Sequence, residues 1–107
     1  MSHRNTTVLF KNLLVSLRDD NHSQFLADAD SGFRSAITAE IFGRVSADLQ
    51  PRLASGCDEI FLGELQDRGA QVFIWKLSFS DGGDDLLARM GVRESKVSGF
   101  KITSAFA

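Results

Sequence analysis

Residues 70–80 read AQVFIWKLSFS, and their two-residue period decides the fold. Phe73, Trp75, Leu77 and Phe79 fall on one face of an extended chain, with Val72, Ile74, Lys76 and Ser78 on the other. One face is almost wholly aromatic or aliphatic, and the other is mixed. Such an aromatic face needs a cover, and the part of the chain before it has the spacing of helices.

Working outward from this strand, both neighbours are joined to it by turns. Asp67-Arg68-Gly69 reads as a hairpin turn, with Gly69 suited to the left-handed position, and Ile60 to Gln66 precedes it as a strand. Asp81-Gly82-Gly83 is the turn on the other side. The stretch DLLARMGV, Asp85 to Val92, is ambiguous between a strand and a helical turn or two by pattern alone, but its short connections favour a strand with Gly91 as a candidate bulge. After Arg93-Glu94-Ser95, Lys96 to Ser104 is the last strand.

The first half reads differently. Thr38 caps a helix with Ile41, Phe42, Val45, Leu49 and Leu53 on one side, and Pro51 predicts a kink or an early end near Leu49 or Gln50. Phe33 to Ile37 reads as an extended link or small edge strand, after a break at Ser31-Gly32. His22 to Asp30 is a short helix capped by Asn21. Thr6 or Thr7 caps the first helix, whose apolar positions are Val8, Leu9, Phe10, Leu13, Leu14 and Leu17, and residues 1–5 form a flexible tail. The expected architecture is α+β: N-terminal helices packed on one face of a curved, antiparallel, four-stranded meander, all within one domain spanning residues 1–107.

Composition narrows the function classes. A net charge of -2, with twelve Lys and Arg residues scattered along the chain, argues against a nucleic-acid partner. Apolar runs are only a few residues long, so no membrane span is expected. The lone Cys57 makes no internal disulfide and fits a reducing cytoplasm. With nine Phe and no Tyr, the chain has no phenol for acid–base chemistry.

Helices followed by VFIWKLSFSDGGDDLLARMGVRESKVSGFKI resemble the nuclear transport factor 2-like superfamily, also described as cystatin-like, and within it small bacterial members of unknown function. The likeness spans roughly Leu13 to Ile102 and rests on hydrophobic and turn patterns with no catalytic signature. It implies a cone-shaped pocket between helices and sheet, and dimerisation through the outer sheet face. The superfamily contains ketosteroid-isomerase-like and polyketide-cyclase-like enzymes as well as binding and assembly modules, so fold alone does not select a function.

Candidate pocket residues are Phe33, Phe42, Phe73, Trp75 and Leu77, with Arg34 and Arg89 as the polar groups for an apolar or anionic ligand. Arg89 has a competing reading as a side chain alternating out to solvent. An isomerase would also need a carboxylate base; Asp28, Asp30 and Asp58 read instead as helix-end or strand-start residues. His22 reads as a loop histidine and Cys57 as a small buried hydrophobe. No His, Cys, Asp or Glu spacing fits a metal, and no cofactor is expected. The leading expectation is a non-catalytic homodimer that binds a small molecule or serves assembly; the alternative is an enzyme acting on a small hydrophobic substrate.

Overall fold

The aromatic strand lies second in a sheet whose order follows the sequence. In the computed structural model, which describes residues 3–105, α1 (His3–Arg18), α2 (His22–Phe25), α3 (Ser31–Ala36) and α4 (Ala39–Ala54) precede β1 (Cys57–Asp67), β2 (Ala70–Phe79), β3 (Leu86–Arg93) and β4 (Lys96–Thr103). The strands pair antiparallel in the order β1-β2-β3-β4. The expected α+β meander is therefore what the chain forms.

The alternation read in β2 is the alternation observed. Phe73, Trp75, Leu77 and Phe79 are buried, whereas Val72, Ile74, Lys76 and Ser78 stay half-exposed. Across β3 the same inner face continues through Ala88, Met90 and Val92. α1 lays Phe10, Leu13, Leu14 and Leu17 on this face, and the Phe10 ring stacks on Trp75 with centroids 3.8 Å apart. α4 closes the layer with Phe42 and Leu53, and Ser46 Oγ donates to the Leu17 carbonyl oxygen at 2.9 Å, tying α4 to α1.

The helical half departs from expectation in four places, and the first is α2, which ends at Phe25 with a C-cap at Leu26, short of the Asp30 expected. α1 starts at His3, so residues 3–5 are helix and Thr6, fully buried, is a core residue instead of a cap; Met1 and Ser2, also assigned to the tail, lie outside the described residues. Ser31 to Ala36 is a helix and not an extended link, because Asp30 Oδ1 accepts from the Phe33 N–H at 2.8 Å and starts a turn across Ser31-Gly32. α4 runs through Pro51 to Ala54: the ring sits in the last turn, and the carbonyl it deprives of a donor belongs to exposed Ala47, where water can reach it.

Two irregularities shape the strands. Leu62 is an extra residue of β1 opposite β2, and Ser98 is an extra residue of β4 opposite β3, between Val97, which pairs with Val92, and Gly99, which pairs with Gly91. The β1–β2 and β3–β4 hairpins use two-residue turns with both φ positive, Arg68-Gly69 at 53° and 82° and Glu94-Ser95 at 52° and 66°. That is the mirror-image turn whose twist suits a hairpin.

Candidate functional site

Three caps in succession build the site. Asn21 Oδ1 accepts from Gln24 N–H at 3.1 Å, Asp30 Oδ1 from Phe33 N–H at 2.8 Å and Thr38 Oγ1 from Ile41 N–H at 3.2 Å. Each starts a helix and carries a phenylalanine inward within a turn: Phe25, Phe33 and Phe42. Phe25 is the hub, with ring centroids 5.9 Å from Phe33, 5.1 Å from Phe42 and 5.8 Å from Phe100 of β4. Where α2, α3 and α4 part from the end of β4, these rings leave a pocket of about 150 Å³.

Leu17, Ile37, Ile41, Val45 and Ile102 complete the walls, and Lys101, which the register places on the outer-face row of β4, is the charged residue among those that line it. His22 stands behind the wall. Its ring lies 5.2 Å from that of Phe42, and Nε2 is 2.9 Å from the Ile37 carbonyl oxygen. A carbonyl only accepts, so this nitrogen carries the proton. His22 is thus half-buried and pins the α3–α4 link, where a loop histidine was expected. A cavity of this size walled by Leu, Ile and Phe matches those that take a benzene-sized molecule. Its chemistry is burial.

The expected pocket residues separate into three groups. Phe33 and Phe42 line the pocket together. Phe73, Trp75 and Leu77 sit in the packed core, 3%, 3% and 0% exposed, with Phe10 filling the space over Trp75. The two arginines point elsewhere. Arg34 is exposed on α3 and donates to the Leu26 carbonyl oxygen at 2.9 Å. Arg89 lies on the outer face of the sheet and donates to Thr103 Oγ1 at 3.0 Å. There it borders a second, open groove of about 400 Å³ that rounds the sheet edge at Ser98-Gly99 and reaches Phe33. Phe25 was not anticipated, nor were Leu17, Ile37, Ile41, Val45, Phe100, Lys101 and Ile102. A signal for the first of these existed: a capping residue three or four positions before a phenylalanine, repeated at Asn21, Asp30 and Thr38.

The remaining reactive groups have structural surroundings. Burial, helped by Glu59 and Asp58, pushes the Cys57 thiol up to about 11, so it is protonated at neutral pH and a poor nucleophile. Asp30 caps α3, and Asp28 and Asp58 are exposed. At the other end of the sheet Arg52 spans from α4 to the β2–β3 loop, donating through Nε to Asp81 Oδ2 at 2.9 Å and lying 4.0 Å above the Phe79 ring. This bond, with one from the Gly83 N–H, holds the Asp81 carboxyl below the usual range. Among the described residues no three His, Cys, Asp or Glu side chains gather around a point where one metal ion could bind, and no helix is long and apolar enough to cross a membrane.

No family model matches the chain, and no curated protein matches it. Among solved structures it is similar to an uncharacterized cystatin fold protein from Novosphingobium aromaticivorans, at 9% sequence identity and a TM-score of 0.44, over 88% of this chain and 93% of that one.

Proposed function

We propose that residues 1–107 form a single nuclear transport factor 2-like, cystatin-like domain that binds a compact apolar molecule without catalysis, in the cytoplasm, as a homodimer joined through the outer sheet face. The observation that carries the binding reading is the lining of the α2–α3–α4–β4 pocket: aromatic and aliphatic walls around about 150 Å³. An isomerase or cyclase would place a carboxylate or imidazole within hydrogen-bond reach of its substrate. The walls offer neither, and His22 is engaged with Ile37 behind them. The homodimer is favoured by a separate observation: Ile60 and Leu65, 39% and 48% exposed, stand on the sheet face opposite the helices.

Native mass spectrometry of the purified protein against its denatured mass tests both halves. A dimer carrying a small apolar adduct is expected, and a Val45→Trp variant, which blocks the pocket mouth, should lose the adduct while keeping the dimer. If the adduct survives Val45→Trp, the ligand sits elsewhere and the pocket reading fails. If neither an adduct nor binding of added benzene is detected, the binding reading fails. A monomer at working concentration overturns the dimer.

A further inference from the structure

β1 is the least covered strand. Ile60, Phe61, Leu62 and Leu65 are each more than a third exposed, at 39%, 37%, 54% and 48%. Its only charges are acidic, at Asp58, Glu59, Glu64 and Asp67. Of these Asp58 and Asp67 share the outer face with Ile60 and Leu65. The opposite half of that face is cationic, with Arg89 and Arg93 on β3 and Lys96 and Lys101 on β4. Among the described residues neither Arg89 nor Arg93 has a carboxylate within 4.0 Å; their guanidinium groups donate to Thr103 and to the Arg68 carbonyl oxygen.

Relief follows the same division. Reading one register row across the face gives Leu65, Val72, Gly91 and Gly99: two large side chains, then two positions with none. The next row gives Gly63, Ile74, Arg89 and Lys101, empty at the β1 end and full at the β4 end. A Cβ at Gly91 would lie 3.1 Å from Ser98 Oγ, so the hollow over Gly91 is bordered by that hydroxyl and a larger residue there would have to displace it.

We infer that the outer face is self-complementary, and that a second copy docks with its β1 over this copy's β4. The inference rests on the homodimer reading and specifies its geometry. A two-fold axis between the sheets and parallel to the strands produces this arrangement, within the twist of packed sheets. Leu65 and Val72 of one copy then seat over Gly99 and Gly91 of the other, Gly63 lies over Lys101, and Asp67 falls beside Arg93 and Lys96. Two other symmetric arrangements fail on charge. An axis across the strands sets β1 over β1 and Asp58 over Asp67. Antiparallel pairing of two β1 edges about Leu62-Gly63 does the same, and like charges directly opposite are destabilising.

Cross-linking separates these geometries. In a Cys57→Ser background, Leu65→Cys and Gly99→Cys chains are mixed and treated with a short bismaleimide; a Cβ on Gly99 meets no atom within 4 Å, so that variant should fold. The expected product joins position 65 of one chain to position 99 of the other, with no 65–65 product. Dimerisation should weaken at least about tenfold in Asp67→Arg and in Arg93→Asp, and return to within about threefold in the double variant. A dimer that cross-links 65 to 65, or at neither pair, overturns this geometry while leaving the homodimer standing. A monomer in sedimentation equilibrium overturns the homodimer and this inference together.

Discussion

The two faces of the sheet share one backbone and differ in what they have been given to touch. On the inner face Phe73, Trp75, Leu77, Ala88 and Met90 are all 3% exposed or less, beneath helices that bring matching side chains. On the outer face Val72, Ile74, Arg89 and Lys101 run across β2, β3 and β4, and all stay partly or fully exposed. A period-two strand shows from sequence that it has two faces. What each face meets depends on partners distant in the chain. The inner face acts as a core except near Phe100 and Ile102, where the cover lifts and leaves a pocket. The outer face keeps exposed apolar and charged side chains side by side.

Mutations that separate the faces give the largest contrast. Trp75→Ala should cost about 3–5 kcal/mol in urea denaturation, since it removes the ring that Phe10 stacks against. Ile74→Ala, one residue along and on the other face, should cost about 1 kcal/mol or less in dilute protein. Equal costs would break the comparison. Next comes the junction between α4 and β1. Gly56 has φ of 114° and a Cβ there would lie 2.7 Å from Ser80 Oγ, so Gly56→Ala should destabilise by about 1–3 kcal/mol in the same assay. A loss below a few tenths would show that the junction relaxes freely.

A smaller effect of opposite sign is expected at the β3–β4 turn. Glu94 and Ser95 hold φ of 52° and 66° with ordinary side chains, so Asn-Gly in their place should raise stability by about 0.5–1 kcal/mol. The Arg52–Asp81 bridge gives the smallest effect, because both groups are partly exposed. The Asp81 carboxyl is held below its ordinary value, so its contribution is present above the unfolded-state value near about 3.9 and is lost as pH falls through the folded value. A carboxyl NMR titration should show this low midpoint, and Arg52→Ala should return it toward normal.

The strands were legible because each carries its evidence locally. β2 alternates strictly, Gly69 takes the positive φ expected of it, and the register shift falls beside Gly91, though the extra residue is Ser98 on β4. α3 was not legible, because Ser31-Gly32 reads as a breaker unless the capping bond from Asp30 is recognised. Val8 was counted with the apolar stripe of α1 yet is 64% exposed, since a helix face is defined by what packs on it. The pocket was half legible for the same reason. Phe33 and Phe42 are conspicuous in sequence, but Phe25 and Phe100 join them through contacts between separate elements, with β4 far along the chain from α2. Arg89 shows the limit from the other side: its alternation assigned it correctly to the outer face, and the notion of a pocket ligand drew it inward.

The most direct test of the account is a methyl and aromatic NMR titration of the full chain with benzene. Shifts should concentrate at Ile37, Ile41, Val45 and Ile102 and leave Leu77, Met90 and the outer-face Ile74 unmoved. Shifts centred on Leu77 and Met90, or none at saturating benzene, would contradict a sealed core with an open pocket beside β4.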